Sequence, residues 1–316
     1  MPIFARAGAC SSFLLLLATA IATAQPGQHV TRMEVVHGKP YVMVMVNGKG
    51  PFRFVVDTGT GGEALIAPSL ADQLHLPAVG ESRLVDPSGQ GNQKAPILQV
   101  QSLNVAGVEF TDVRAIRHQL ASEDGSCQGL LGFVLFRDYL LRLDYPERRL
   151  ALSRGGIKPD GEKSVLPFRM PDGVPIVTIQ VAGKDVDAQI DTGGIGLSLP
   201  AELASRLKFV SDPALFAISE SLATRFKVKA GKLAADVNMG RYTFDDPVVE
   251  INPAFPLANL GGYVMQFFAV TFDQNNGLVR LDARKKVFHL NSLPSVLRLQ
   301  NAPPAKPVDQ SLVPVG

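Results

Sequence analysis

Tyr41–Leu76, YVMVMVNGKGPFRFVVDTGTGGEALIAPSLADQLHL, and Pro175–Phe209, PIVTIQVAGKDVDAQIDTGGIGLSLPAELASRLKF, follow one plan. In each, an alternating apolar stretch enters an Asn/Ala-Gly-Lys turn, and a second stretch closes on Asp-Thr-Gly. A short apolar run and a Leu-Ala-x-x-Leu segment follow. Apolar residues at period two predict strands, and leucines at spacing four behind Pro68 and Pro200 predict short helices that begin at a proline. The two aspartates, Asp57 and Asp191, therefore occupy equivalent places in two copies of one motif.

The likeness extends downstream. VQSLNVAGVEFTDVRAI from Val100 parallels LAADVNMGRYTFDDPVVEI from Leu233, and Leu130-Leu131-Gly132 parallels Asn259-Leu260-Gly261. Each of those glycines precedes by twelve residues another aspartate that ends a strand, Asp144 and Asp273. The hairpins that follow turn at Tyr145–Arg148 and at Gln274–Gly277, where Asn276-Gly277 is a two-residue turn signal. The predicted fold class is mostly β, with two lobes of barrel-like sheet related by an approximate two-fold axis. The N-terminal lobe is expected over residues 30–153 and the C-terminal lobe over 164–293, with a Gly- and Pro-containing linker over 154–163. Helix is scarce, and Asp212–Lys229 reads equally as a helix or a hairpin.

The ends read differently. Residues 1–24 combine an early Arg6, an apolar run from Phe13 to Ile21 and an Ala22-Thr23-Ala24 site, the three parts of a secretory signal peptide. This predicts export to the periplasm or the medium, with no stable membrane span after cleavage. Residues 294–316, rich in proline and small residues, are expected to form a flexible tail. Cleavage after Ala24 leaves Cys127 as the single cysteine, so no intrachain disulfide is available, and Cys127 is expected to be a small buried apolar residue. With 31 Lys+Arg against 29 Asp+Glu, the net charge of +2 lacks the basic footprint of a nucleic-acid binder.

One Asp-Thr-Gly is weak, because Asp and Gly crowd turns for conformational reasons. Two at equivalent places are a chemical signal, since a two-fold axis between the copies brings Asp57 and Asp191 together. Two neighbouring carboxylates cannot both ionise cheaply, so they share a proton. The ionised member can take a proton from a water, and the protonated member can donate to a substrate carbonyl. Gly59 and Gly193 let the backbone approach the carboxylates, while Thr58 and Thr192 can brace the loops across the axis.

FVVDTGTGG and AQIDTGGIG, each followed by its Leu-Gly element, resemble the aspartic protease superfamily and most resemble its bacterial exported, retropepsin-like members, since pepsin-type disulfides are absent. The resemblance spans roughly residues 32 to 288. It implies one catalytic aspartate per lobe at Asp57 and Asp191, bracing residues at Thr58-Gly59 and Thr192-Gly193, and glycines beneath the loops at Gly132 and Gly261. It also implies an endopeptidase acting on peptides or unfolded protein, with no metal or organic cofactor. Pepsin-like members carry a Ser or Thr after each Asp-Thr-Gly; Thr60 fits and Gly194 does not, and the missing donor predicts an activity optimum moved toward weakly acidic or neutral pH. The expected flaps are Val85–Asn92, which lacks a tyrosine, and a hairpin within Ala217–Gly231. Having both half-sites in one chain predicts a competent monomer.

Other chemistries fit poorly. The glycine-rich runs Gly59–Gly62 and Gly193–Gly196 have neither a P-loop lysine nor the full dinucleotide fingerprint, no G-x-S-x-G occurs, and the five histidines are scattered. The rival of a different class is a two-lobed periplasmic peptide-binding protein on the same scaffold that is catalytically weak or inert.

Overall fold

Lys39–Val46 and Lys49–Asp57, the alternating halves of the first motif, pair antiparallel, so that Val42, Val44, Phe54 and Val56 enter the core. The computed structural model describes residues 27–84, 93–120, 126–220 and 225–292. The expected signal peptide, the C-terminal tail from 294, the first flap candidate Val85–Asn92 and the 221–224 portion of the second lie outside the described residues.

The protein is mostly β, with three sheets among the described residues. The eight-stranded sheet runs Glu34–Val36, Lys39–Val46, Lys49–Asp57, Gly129–Gly132, Ala64–Ile66, Val108–Arg117, Gln93–Val105, Ala78–Leu84. The ten-stranded sheet runs Ala214–Glu220, Arg225–Lys232, Val248–Asn252, Leu197–Pro200, Ala258–Leu260, Lys184–Ile190, Ile176–Val181, Val237–Met239, Tyr242–Phe244, Val287–Phe288. From Lys39–Val46 to Ala78–Leu84, the strand order matches that from Ile176–Val181 to Ala214–Glu220. Parallel pairings recur at the same places: Val56 opposite Leu131 and Ile190 opposite Leu260, then Leu65 opposite Ile116 and Ser198 opposite Glu250.

The third sheet joins the two halves. Its six strands run Gln28–Arg32, Arg149–Ser153, Leu140–Asp144, Ala269–Asp273, Leu278–Asp282, Val165–Pro167. Leu141 lies opposite Phe272 and Leu143 opposite Val270 at its centre. Phe133, Phe168 and Phe272 pack edge-on or tilted beside this seam, with the Phe133 and Phe272 rings 5.1 Å apart, and one hydrophobic cluster includes residues of both halves.

The helices are short. Pro68–Gln73 starts at its proline as the leucine spacing predicts, burying Leu70 and Ala71, and its counterpart is a single turn, Ala201–Ala204, with Pro200 as its N-cap. Ala214–Glu220 and Arg225–Lys232 resolve the ambiguous segment as a hairpin pair.

The Asn276-Gly277 signal corresponds to a four-residue turn, Gln274–Gly277, because Asp273 remains paired with Leu278. The reason is the aspartate at the strand end: Asp273 Oδ1 accepts the Asn276 N–H at 3.1 Å, and Gly277 adopts φ +61°. Asp144 Oδ1 accepts the Glu147 N–H in the matching turn, where Arg148 takes φ +51°. Asp273 also anchors the segment between the halves, its Oδ2 accepting the Ile157 N–H at 2.8 Å.

Candidate active site

Each Asp-Thr-Gly turn leaves a strand whose next neighbour is parallel, Gly129–Gly132 for the first and Ala258–Leu260 for the second. The chain after each turn crosses the end of that neighbour to reach Ala64–Ile66 or Leu197–Pro200 on its far side. Gly132 and Gly261 make the passage possible: a Cβ at 132 would meet the carbonyl oxygen of Gly62, and one at 261 would stand 2.5 Å from the Ile195 carbonyl carbon. Gly132 thus packs against the Thr60 and Gly62 backbone and Gly261 against that of Ile195.

The turns meet through their threonines. Thr58 Oγ1 donates to the Ile190 carbonyl and Thr192 Oγ1 to the Val56 carbonyl, both at 2.7 Å. In return the Thr58 N–H donates to Thr192 Oγ1 and the Thr192 N–H to Thr58 Oγ1, both at 3.1 Å. Both side chains are fully buried, so this reciprocal set has no competition from water. The arrangement repeats on exchanging the two halves.

Asp57 and Asp191 are thereby brought together, close enough for the Asp191 carboxyl to act on the ionisation of Asp57. The approach leaves no room for side chains: a Cβ on Gly59 would fall on the Asp191 carboxylate and one on Gly193 on that of Asp57. Asp57 Oδ1 accepts the Gly59 N–H at 2.8 Å, and its Oδ2 accepts the Thr60 hydroxyl at 3.0 Å. Burial first, then the charge of Asp191, push the Asp57 carboxyl up to about 7, against the opposing pull of Thr60 and the Gly59 N–H. A proton held by the pair into the neutral range is what a general acid facing a general base requires.

Asp191 is held differently. Its Oδ1 accepts the Gly193 and Gly194 N–H groups at 3.0 and 2.8 Å, and its Oδ2 accepts the Asn259 side-chain amide at 3.0 Å. The donor expected to be missing because position 194 is glycine is therefore present, supplied from the adjacent strand. A Cβ at 194 would come within 2.6 Å of both Asn259 Nδ2 and Asp191 Oδ2, so glycine there is the condition for the Asn259 contact. That removes the expected ground for a raised pH optimum, a lost donor; what raises Asp57 is burial beside Asp191. The sequence did carry a signal: Asn259 stands where the first copy has Leu130, a polar residue breaking an apolar match. Gln189, in the place of Val55, was likewise overlooked, and its amide donates to the Gly59 carbonyl at 3.4 Å.

Residues 42–135 match the aspartyl protease family model. This places that part of the chain, including Asp57, Thr58, Gly59, Thr60 and Gly132, in the aspartic protease superfamily. No curated protein matches the chain. The second turn lies outside the matched aspartyl protease segment, and its relation to the first rests on the hydrogen bonds above.

Cys127 is buried, donates to the Gly129 carbonyl at 3.2 Å, and has its thiol pushed up by burial, which fits an inert apolar role. Asp236, Asp245 and Asp246 bring carboxylate oxygens within 4.8 Å of one another; Lys232 lies 3.9 Å from Asp246 and His289 3.4 Å from Asp245. Among the described residues no helix is long and apolar enough to cross a membrane.

Proposed function

We propose that the chain is an aspartic endopeptidase that hydrolyses peptide bonds in the periplasm or outside the cell, acting as a monomer with Asp57 and Asp191 as its catalytic pair. In this reading residues 30–153 and 164–293 are two lobes related by an approximate two-fold axis, joined at 154–163. The observation that carries it is the reciprocal Thr58–Thr192 hydrogen-bonding, which turns two separate carboxylates into one facing pair. The recurrence of strand order and parallel pairings in the two large sheets supports the duplicated architecture, and the leader-like residues 1–24 support export.

The pair carries one proton. A water bound between the carboxyls attacks the scissile carbonyl carbon, passing its proton to the ionised carboxylate as the protonated carboxyl gives its own to the carbonyl oxygen. A neutral gem-diol results. The C–N bond then breaks as the amine takes a proton from one carboxyl, while a gem-diol hydroxyl returns its proton to the other carboxylate, so the pair ends as it began. The Thr60 hydroxyl, the Asn259 amide and the glycine N–H groups fix the carboxyl orientations before substrate arrives.

The test is cleavage of an unfolded protein and a quenched-peptide library by wild type, Asp57→Asn and Asp191→Asn across pH 3 to 8. Wild-type turnover abolished by both substitutions is expected. Turnover unchanged in both, with peptide binding retained, would overturn the enzyme reading in favour of a peptide-binding protein.

A further inference from the structure

The faces of the two large sheets that carry the paired aspartates differ in chemistry. Across the first sheet, neighbouring strands place Val55 opposite Leu130, Leu130 opposite Leu65, Leu65 opposite Ile116, and Ile116 opposite Ile97. Val55 and Leu130 are buried with Tyr41 and Cys127 in an apolar cluster separate from the main core. The same chain of register partners in the second sheet is Gln189, Asn259, Ser198, Glu250, Ala230. Four apolar residues are replaced by four polar ones.

This polar row faces the paired carboxyls. Its in-strand neighbours Ile190, Leu260, Leu197, Leu199 and Val249 point into the main core, so alternation turns the row to the opposite face. Gln189 and Asn259 show which face that is, since one contacts Gly59 and the other Asp191. Glu250 lies two strands beyond Asn259, about 10 Å across the sheet at ordinary strand spacing.

Glu250 is an anomaly as a structural residue. Its Oε1 is buried without a hydrogen-bond partner, and among the described residues it makes no ion pair. A buried unpaired carboxylate costs stability that a leucine or isoleucine, such as Ile116 at the matching register, does not. Burial alone pushes the Glu250 carboxyl up to about 7, and an entering cation would draw it back to the ionised form.

Building on the endopeptidase reading, we infer that Glu250 is a specificity-determining residue: the second-half side of the cleft takes a lysine or arginine side chain of the substrate, which pairs with Glu250. The first-half side, lined by Val55, Leu130, Leu65 and Ile116, takes an aliphatic one. The cleft then reads a peptide by opposite chemistries on its two sides.

The experiment compares peptides identical except for lysine or norleucine at each position flanking the cleaved bond, with wild type, Glu250→Gln and Glu250→Leu. Wild type is expected to favour lysine at one position by at least about tenfold in kcat/KM, the ratio that one hydrogen bond to a charged group carries. Both variants should reduce that ratio to near unity while cleaving the norleucine peptide as well as wild type does. A lysine preference that survives in both variants, or none in wild type, overturns the inference while leaving the endopeptidase reading intact. If no peptide is cleaved in an Asp57-dependent way, that reading fails, and the inference is judged by fluorescence anisotropy with the same peptides. Tighter binding of lysine than norleucine, lost in Glu250→Leu, supports it; equal binding overturns it.

Discussion

Replacing Thr58 or Thr192 by valine removes one hydroxyl from the reciprocal set while keeping the side-chain shape, so no cavity forms. Each substitution deletes a 2.7 Å donation to a carbonyl and the acceptor of a 3.1 Å bond from a buried N–H. Two net hydrogen bonds are worth about 2 kcal/mol together, and leaving the partner threonine's N–H unpaired at a buried site adds about 1–3 kcal/mol. The expected loss is therefore about 3–5 kcal/mol for either position, a large fraction of ordinary domain stability. Because the bonds are reciprocal, Thr58→Val and Thr192→Val should agree within about 1 kcal/mol, and serine at either position should recover most of the loss. Urea unfolding of wild type and the four single variants measures this, with unchanged m-values as the check that the unfolded state is the same. Losses below about 0.5 kcal/mol, or a large loss on one side only, would refute a shared two-fold grip as the device that holds the turns together.

Three further outcomes follow from the geometry. Gly193→Ala would put a Cβ 2.5 Å from Asp57 Oδ2, so kcat/KM on any cleaved peptide should fall at least about a hundredfold. Asn259→Leu restores the residue type found at the matching register but removes a donor to the Asp191 carboxylate. Ionisation of the pair is then disfavoured, and the acidic limb of the pH–rate profile should move upward by about half to one pH unit. Glu250→Gln tests pH linkage. A carboxyl held at about 7 rather than 4.5 binds its proton more tightly folded than unfolded, so its contribution is fully present below pH 4.5 and is lost as pH rises through 7. That gap corresponds to about 3 kcal/mol, and the glutamine variant should lose correspondingly less stability than wild type between pH 4 and pH 8 in parallel urea titrations. Equal slopes would show that Glu250 is not buried as an acid.

Much of the architecture was legible because period-two alternation and turn chemistry are local. YVMVMV and FRFVV declare strands wherever they pack, and the paired Asp-Thr-Gly turns declare their equivalence by repetition alone. What was not legible depends on contacts between distant segments. The Asp212–Lys229 stretch has no strong period of either kind, and the hairpin it forms is fixed to its sheet through Lys229–Lys232 along Val248–Ile251, a partner absent from its own sequence window. The Gln274–Gly277 turn, by contrast, is local and lies where the sequence reading puts it, with Asp273 capping the loop.

The same distinction separates the centre of the site from its surroundings. Asp57, Thr58, Asp191 and Thr192 could be found because both copies keep them, whereas Asn259, Gln189 and Glu250 are found only where the copies disagree. Two equivalent turns need their shared residues to be held together, and under the endopeptidase reading that requirement is the same for every substrate. Specificity has no such symmetry, since the two sides of a cleft meet different side chains of an extended chain. The positions where polar residues replace Val55, Leu130 and Ile116 therefore mark where one half has been released from the common plan. Glu250 is the sharpest case, an acid whose Oε1 is buried without a partner at the register position where the first half has Ile116.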